Sequence, residues 1–196
     1  NMTTLYEINE FYVPDKTPEE IVLDIAKNSS TGDILLFQPG TAEIKACRDI
    51  LNKLLPPNFI ALPFYSELEE SKAEIIKKLN PNVIYNIRVP RDYPYERKGI
   101  YEQVPLGTYT RVVIIATNIA EASITIDTLR YVVDTGTEKS EVYNYKLNQT
   151  IIEIGNISES SRLQRKGRIG RVAPGTVYYN YEKDKMINNK KKYGIS

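Results

Sequence analysis

Short apolar runs alternate with amphipathic segments along most of the chain, and this pattern predicts alternating strands and helices. Residues 4–13 alternate apolar and polar positions and predict a strand that ends at Pro14. Residues 34–37, 59–65 and 111–117 are almost continuously apolar, as expected for strands buried on both faces of a parallel sheet. The run at 111–117 is the most apolar of the three, so we predict that it forms the central strand.

Amphipathic segments between these strands predict helices. A threonine followed by Pro-Glu-Glu gives an N-cap at residue 17, and the helix is expected to run to about Lys27. Residues 43–55 and 66–79 carry apolar side chains at helical spacing and predict two further helices. The inner side of the helix at 43–55 is predicted to consist of Ile44, Cys47, Ile50, Leu51 and Leu54.

The middle of the chain is less regular. Residues 80–109 contain several prolines and a charged stretch, so we expect a mostly irregular surface excursion despite the strand-like pattern at 83–89. Residues 118–125 predict a loop or helical turn, and residues 130–134 predict another short strand.

The last third of the chain predicts a β-hairpin, a helix and a final strand. Residues 141–147 and 150–154 are strand-like segments on either side of a turn that contains Asn148, and residues 176–181 form the last predicted strand. Strands that alternate with helices indicate an α/β fold with an open, mostly parallel sheet. Ligands of such sheets meet the loops at the carboxyl ends of the strands. We therefore expect a functional rim at the loops that follow Phe37, Tyr65, Thr117 and Asp134.

Length and composition narrow the class of protein. The 196 residues fit one domain, which we place at 1–182, followed by a basic tail or linker stub at 183–196. The net charge of +1 favours no particular partner, and the single cysteine, Cys47, excludes an intramolecular disulfide. The absence of histidine removes histidine bases and histidine metal ligands, and we expect no metal site in this chain. An intracellular setting without membrane contact is expected, because the N-terminus is polar and no long apolar run occurs.

Residues 158–171 carry the most distinctive chemistry of the chain. Ser158 provides an N-cap, and Gln164, Arg168 and Arg171 follow at i, i+4 and i+7 of a predicted helix. At about 100° per residue these three side chains would lie within roughly 60° of one another on one face. One amide and two guanidinium groups would then point towards the same ligand.

Three stretches together resemble a known family. Residues 38–41, 116–127 and 164–171 look like motifs IV, V and VI of the second RecA-like domain of superfamily 2 DEAH/DExH helicases, which include poxviral nucleoside-triphosphatase helicases. The resemblance covers about residues 5–181 and departs from the family over 80–109. It implies a RecA-like three-layer sandwich with a mostly parallel central sheet and an extra β-hairpin, and it is compatible with a viral source.

The resemblance also implies roles at an ATP site. Arg168 and Arg171 would be arginine fingers that neutralise the transferring phosphoryl group, and Gln164 would orient the attacking water. Asp127 would bind the nucleotide ribose, and Gly167 would lie at the same nucleotide. An alternative is that the arginines contact nucleic-acid phosphate directly or lie on a solvated face.

Further residues are implied to contact nucleic acid. Gly40, Thr41 and Thr117 would bind the phosphodiester backbone of a single strand, although ordinary turn and strand-end capping is the alternative. The hairpin would guide or separate strands, or would simply extend the sheet. Glu121 is expected to help fix the motif V loop. Arg165 and Lys166 are expected to form ion pairs or to lie on the surface.

Two sequence motifs of a complete nucleoside triphosphatase are missing from these residues. No G-x-x-x-x-G-K-[ST] loop and no D-E-x-H sequence occurs, so the family resemblance implies that an N-terminal RecA-like domain of the same protein cradles ATP and holds Mg²⁺. This chain would then contain half of an active site and be inactive alone.

The predicted function is that of the C-terminal domain of an ATP-dependent helicase acting on single-stranded or duplex RNA, with DNA possible. The expected setting is the cytoplasm or, for a viral protein, the virion. The alternatives are an ATP-driven translocase or remodeller without unwinding, and a plain nucleic-acid-binding module.

Overall fold

A computed structural model describes residues 5–66, 85–87, 107–122 and 124–184 of the chain. The strands, in chain order, are β1 (Ile8–Tyr12), β2 (Asp33–Phe37), β3 (Phe59–Phe64), β4 (Tyr85–Ile87), β5 (Gly107–Tyr109), β6 (Arg111–Ala116), β7 (Leu129–Asp134), β8 (Thr137–Asn144), β9 (Gln149–Asn156) and β10 (Gly175–Tyr179). The helices are α1 (Pro18–Asn28), α2 (Thr41–Leu54) and α3 (Glu159–Lys166), and a 3-10 turn spans Asn118–Glu121.

The central sheet is parallel, as the apolar runs predicted. Its strand order is β1-β10-β7-β2-β6-β3, with a parallel register between every pair of neighbours. Strands β2, β3 and β6 are buried along their whole length, which explains why they read as continuous apolar runs. The expectation that β6 is the central strand is off by one position, because β7 and β2 occupy the middle of the six.

Each face of the sheet has its own hydrophobic layer. Ile34, Leu36 and Val113 point to the face covered by α1 and α2. Leu35, Phe37 and Ile114 point to the opposite face, which is covered by the segment between β6 and β7 and by Ile169. The alternation of side chains along each strand therefore builds a three-layer sandwich, and the predicted RecA-like architecture is confirmed.

The first helix begins as predicted. The Thr17 hydroxyl accepts a hydrogen bond from the Glu20 N–H at 3.1 Å, and the Glu20 carboxylate accepts one from the Thr17 N–H at 2.9 Å. This capping box satisfies two amide groups at the start of α1, and Pro18 needs no donor there.

The predicted inner face of α2 is partly wrong. Ile44, Cys47 and Leu51 are buried, but Ile50 is 43% exposed and Leu54 is 61% exposed. At about 100° per residue, these two side chains point roughly 70 to 110° away from the stripe that packs on the sheet. Arg48, which the apolar pattern omitted, lies within that stripe and is buried.

The extra hairpin is confirmed and is longer than predicted. β8 and β9 pair in antiparallel register from Thr137↔Asn156 to Asn144↔Gln149, and Asn148 adopts a φ of 51° in the turn. Asparagine tolerates this left-handed conformation better than most residues.

Several predicted segments lie largely outside the described residues. Almost all of the predicted helix at 66–79 falls there, as do most of the excursion at 80–109 and the lysine-rich part of the tail. Within the excursion, β4 and β5 form a short antiparallel pair.

Candidate functional site

Three neighbouring strands bring their following loops together at the carboxyl edge of the sheet. Phe37 of β2 is in register with Ala116 of β6 on one side and with Asp134 of β7 on the other. The Thr117 N–H donates to the Phe64 carbonyl at 3.3 Å, and the Thr135 hydroxyl donates to the Phe37 carbonyl at 2.7 Å. The loops after β2, β6 and β7 therefore share one rim, as the strand pattern predicted.

The predicted strand-contacting residues lie on this rim. Gly40 is the N-cap of α2 and, being glycine, provides no side-chain cap for that end of the helix. Thr41 is its first residue, and Thr117 precedes the 3-10 turn at the end of the neighbouring strand. The structure therefore brings Gly40, Thr41 and Thr117 to adjacent strand ends, with backbone N–H groups and hydroxyls that can donate to phosphate oxygens.

Helix α3 starts close to the same rim. The Ser158 hydroxyl accepts a hydrogen bond from the Ser161 N–H at 3.1 Å, which confirms the predicted N-cap. The Ile157 N–H just before it donates to the Gly136 carbonyl at 3.0 Å, so the helix begins beside the end of β7.

Arg165 of α3 lies at the centre of a buried ion network. Its guanidinium is fully buried and donates to Glu121 at 2.9 Å and to Asp134 at 2.8 Å. It also donates to the Thr137 carbonyl at 3.2 Å and lies 4.7 Å from the centre of the Phe37 ring. Burial disfavours the charged guanidinium and lowers the pKa of Arg165. The negative charges and hydrogen bonds of Asp134 and Glu121 have the larger effect, so the pKa lies above its usual value.

This network joins separate segments of the site. Glu121 ends the 3-10 turn after Thr117, Asp134 ends β7, and the Ser161 hydroxyl donates to the second oxygen of Glu121 at 3.1 Å. The prediction that Glu121 fixes the motif V loop is confirmed. Arg165 does form ion pairs, as expected, and Lys166 pairs with Glu10 at 3.1 Å. The sequence analysis missed the complete burial of Arg165.

The predicted helical face of Gln164, Arg168 and Arg171 is wrong in its geometry. Helix α3 ends at Lys166, with Gly167 as its C-cap, and the next two N–H groups donate to carbonyls three residues earlier. Gly170 then adopts a φ of 76°, which turns the chain out of any helix. Its carbonyl accepts hydrogen bonds from the N–H groups of Leu5 and Tyr6, both at 3.0 Å.

Arg168 nevertheless remains beside Gln164. Its Nε donates to the Gln164 carbonyl at 3.2 Å, and its Nη1 donates to the Ile124 carbonyl at 3.1 Å. Burial lowers the pKa of the Arg168 guanidinium, the positive charge of Arg171 lowers it further, and Glu121 partly opposes this shift.

The other predicted ATP-site residues differ in their surroundings. Arg171 is exposed, and Gln164 is half-buried, with its amide donating to the Ser160 hydroxyl at 3.3 Å. Gly167 is buried at the end of α3. Asp127 is exposed and lies just before β7, at the amino edge of the sheet, and its backbone carbonyl accepts a hydrogen bond from Arg130 at 2.6 Å. The sheet therefore separates Asp127 from the rim that carries Thr117.

Comparison with known proteins decides the family. Residues 93–173 match the family described as the helicase conserved C-terminal domain. The chain carries a helicase C-terminal domain. This confirms the family expected from motifs IV, V and VI.

Relatives of this helicase domain are ATP-dependent RNA helicases of the DExH/DEAH type. The chain is 40% identical over 206 residues to the helicase R366 of Acanthamoeba polyphaga mimivirus, and the match covers 99% of the chain. It is 30% identical to DHX30 of Homo sapiens and 31% identical to HrpA of Escherichia coli, over 85% of the chain in both cases. The chain spans only 12%, 12% and 11% of the lengths of these three relatives.

A solved helicase shares the fold of this domain. The crystal structure of the E. coli DExH-box NTPase HrpB superposes with a TM-score of 0.71 at 23% identity, covering 95% of this chain and 21% of that one. Among the described residues of the helicase domain, no helix has the length and apolar character needed to span a membrane. Nor do those residues contain a cluster of three or more metal-binding side chains of the His, Cys, Asp and Glu types.

Proposed function

We propose that this chain is the second RecA-like domain of an ATP-dependent RNA helicase and that it contributes one side of the ATP site. The observation that carries the proposal is the hydrogen bond from Arg168 to the Gln164 carbonyl, next to a buried network that ties α3 to the loop after Thr117. The relatives support ATP-dependent action on RNA, because their names describe ATP-dependent RNA helicases.

Arg168 and Arg171 act as the cations of the ATP site. Closure of this domain on a first RecA-like domain brings both guanidinium groups to the phosphate that is transferred, where they neutralise developing negative charge. Gln164 orients the attacking water through its amide. Asp127 accepts hydrogen bonds from the nucleotide ribose, and Gly167 allows the nucleotide to approach the end of α3.

The first RecA-like domain supplies the remaining half of the ATP site. We assign the triphosphate cradle and the Mg²⁺ ligands to that domain, because this chain lacks both sequence motifs. The chain alone is then inactive as a nucleoside triphosphatase. The domain itself extends over residues 1–182, with 183–196 as a basic tail or linker stub.

The carboxyl rim of the sheet binds the nucleic-acid strand. Gly40, Thr41 and Thr117 donate hydrogen bonds to successive phosphates of single-stranded RNA, and DNA can satisfy the same contacts. The rim does not read base identity, so binding depends on the backbone. We place this activity in the cytoplasm or, because a viral relative exists, in a virion.

RNA-stimulated ATP hydrolysis tests this function. The helicase with both RecA-like domains should hydrolyse ATP faster when single-stranded RNA is added, and Thr117→Val should weaken that stimulation. A matched change at Thr31→Val, on the turn before β2 and away from the rim, should leave stimulation unchanged. ATP hydrolysis that does not respond to RNA would contradict the proposal.

Translocation or remodelling without unwinding is the second candidate function. The hairpin of β8 and β9 favours an active role beyond sheet extension, because it stands apart from the central sheet and exposes Tyr145 by 88%, Ile152 by 69% and Ile154 by 52%. If the hairpin separates strands, replacing residues 143–154 by a short turn should abolish duplex unwinding and preserve RNA-stimulated ATP hydrolysis. Equal unwinding by the shortened protein would show that the hairpin does not separate strands, whereas a wild-type protein that hydrolyses ATP in response to RNA without unwinding a duplex would favour the translocase.

A plain nucleic-acid-binding module does not account for Arg165. Its guanidinium is completely buried and donates to Glu121 and Asp134, so it does not contact a phosphate backbone. Binding to an exposed backbone requires accessible cations. A structural role inside a helicase domain therefore explains Arg165 better.

A further inference from the structure

Asp127 lies in a short turn that one arginine side chain holds through the backbone. The Leu129 N–H donates to the Ile126 carbonyl at 3.2 Å, which closes the turn just before β7. Nη1 of Arg130 donates to the Asp127 carbonyl at 2.6 Å and to the Leu129 carbonyl at 2.9 Å. The Arg130 guanidinium therefore joins the backbone of Asp127 to the first residue of β7.

The neighbouring side chain in the turn, Thr128, does not hold it. The Thr128 hydroxyl is buried and has no hydrogen-bond partner among the described residues. Its backbone carbonyl accepts a hydrogen bond from the Asp33 N–H at 2.9 Å, which ties the turn to the start of β2. Among the described side chains, only that of Arg130 forms a hydrogen bond with the Asp127 backbone.

Two glycines pack closely against Arg130. A Cβ added to Gly32 would lie 2.8 Å from both Cβ and Cγ of Arg130, and Gly32 has a φ of 102°. A Cβ added to Gly175 would lie 3.0 Å from the Arg130 carbonyl oxygen. The turn before β2 therefore confines the stem of the arginine, and the start of β10 confines its backbone.

A second arginine holds the turn that contains Gly32. Arg111 begins β6, and its guanidinium donates to the carbonyls of Gly32 at 2.8 Å, Ser29 at 3.0 Å and Thr31 at 3.0 Å. This turn cannot move away from Arg130 without breaking those hydrogen bonds. Because its stem is already confined, the Arg130 side chain loses little further freedom when its planar head binds the two carbonyls.

We propose that Arg130 is a positioning residue for the ribose of bound ATP and that it acts through the backbone of Asp127. This inference rests on the proposed function, in which the Asp127 carboxylate accepts hydrogen bonds from the ribose. The Asp127 side chain is exposed, so the direction of its carboxylate depends on the conformation of the turn. A turn that is already ordered binds the ribose without the entropic cost of ordering it first. Loss of the Arg130 guanidinium weakens ATP binding but does not slow the transfer step, because the ribose is remote from the transferring phosphate.

Steady-state hydrolysis of ATP and of dideoxy-ATP by the helicase with both RecA-like domains tests this inference. Dideoxy-ATP lacks the two ribose hydroxyls, so the wild type should have a higher KM for it than for ATP. Arg130→Gln should raise the KM for ATP by on the order of fivefold, keep kcat, and leave the KM for dideoxy-ATP unchanged. Lys27→Gln removes a positive charge from the exposed end of α1 and should change neither KM.

Two further variants separate positioning from a general loss of stability. Arg130→Lys keeps most of the stem that packs against Gly32 and one charged donor, so its KM for ATP should lie between those of the wild type and Arg130→Gln. Asp127→Ala removes the carboxylate itself. Adding Arg130→Gln to Asp127→Ala should therefore raise the KM for ATP no further, because the two residues act on the same contact.

Two results would overturn the inference alone. One is a wild-type KM for ATP in Arg130→Gln while Asp127→Ala still raises it, which would leave the proposed function intact. The other is an equal rise in the KM for both nucleotides in Arg130→Gln, which would assign Arg130 to another part of the nucleotide or to the fold. If Arg130→Gln does not fold, a wild-type KM for ATP in Arg130→Lys is the contradicting result. A wild-type protein with the same KM for both nucleotides would overturn the ribose contact of the proposed function as well.

Discussion

Arg165 places a positive charge inside the domain, between Glu121 and Asp134. Removing a charge from water is costly, and the two carboxylates repay that cost only while all the partners remain in place. The same side chain joins α3 to the loop after Thr117 and to the end of β7. Its neighbour Lys166 makes one partly exposed pair with Glu10, so adjacent cations on one helix have different roles.

Replacing Arg165 should therefore destabilise the domain far more than replacing Lys166. Arg165→Ala leaves two carboxylates without their main partner, and we expect a loss of about 3 to 5 kcal/mol in the free energy of unfolding. Lys166→Ala should cost no more than about 1 kcal/mol. Chemical denaturation of the two variants measures both values, and equal losses would show that the buried network does not stabilise the fold.

Glu10 links stability to pH at the edge of the sheet. Partial burial raises its pKa, but hydrogen bonds from Tyr179 and Lys166, with the charges of Lys166 and Arg162, outweigh burial and lower the pKa below 4.5. A carboxylate with a lowered folded-state pKa stabilises the fold above its unfolded-state pKa, and this contribution is lost as the pH falls through the folded-state pKa.

The Glu10→Gln variant should consequently be less stable than the wild type at neutral pH. The difference should shrink as the pH falls below 4.5 and the wild-type carboxylate becomes protonated. Thermal unfolding between pH 3 and pH 7 checks this, with Glu141→Gln on the exposed hairpin as the control. A difference that stays constant over this range would exclude the proposed linkage.

Among the elements, α3 and the turn after it set the positions of the arginines. The helix ends early, and the positive φ of Gly170 directs Arg171 away from the helix axis. The N–H groups of Leu5 and Tyr6 both donate to the Gly170 carbonyl, so the start of the chain holds the turn. The direction of Arg171 thus depends on one glycine conformation.

Replacing each of the two glycines of this segment by alanine tests whether the backbone conformation of Gly170 requires glycine. Gly170→Ala forces an L-residue into the left-handed region and should cost about 1 to 2 kcal/mol of folding stability. Gly167 has a φ of −67°, which alanine adopts readily, so Gly167→Ala should cost less. Denaturant titration compares the two proteins, and a larger loss for Gly167→Ala would contradict this account of the turn.

The elements also show which features the sequence predicts. The buried strands β2 and β6 were predictable because strands covered on both faces consist of apolar residues, and α1 was predictable from its cap. The end of α3 was not predictable, because the sequence does not reveal that Gly170 takes a positive φ. The burial of Arg165 was missed because an arginine normally indicates surface. The signal that could have found it is the pair of acids, Glu121 shortly after β6 and Asp134 at the end of β7, two strands that flank β2.

At the scale of the whole molecule, the sheet separates two sets of residues. Gly40, Thr41 and Thr117 gather at its carboxyl edge, whereas the chain runs from Arg168 towards the amino edge, where Asp127 lies. The Arg165 network lies at the carboxyl edge, where Glu121, Asp134 and the Thr137 carbonyl accept its hydrogen bonds. This layout suits a domain that contacts a nucleic-acid strand at one edge of its sheet. At the other edge it would bind a nucleotide together with a second domain.

The most direct test of this account is the ATP turnover of the helicase with both RecA-like domains. Arg168→Ala and Arg171→Ala should each lower turnover by about 10³-fold or more, because each removes a cation from the transferring phosphate. Lys166→Ala, which removes a neighbouring cation of α3, should retain turnover. Wild-type turnover in both arginine variants would contradict the claim that this chain supplies the cations of the ATP site.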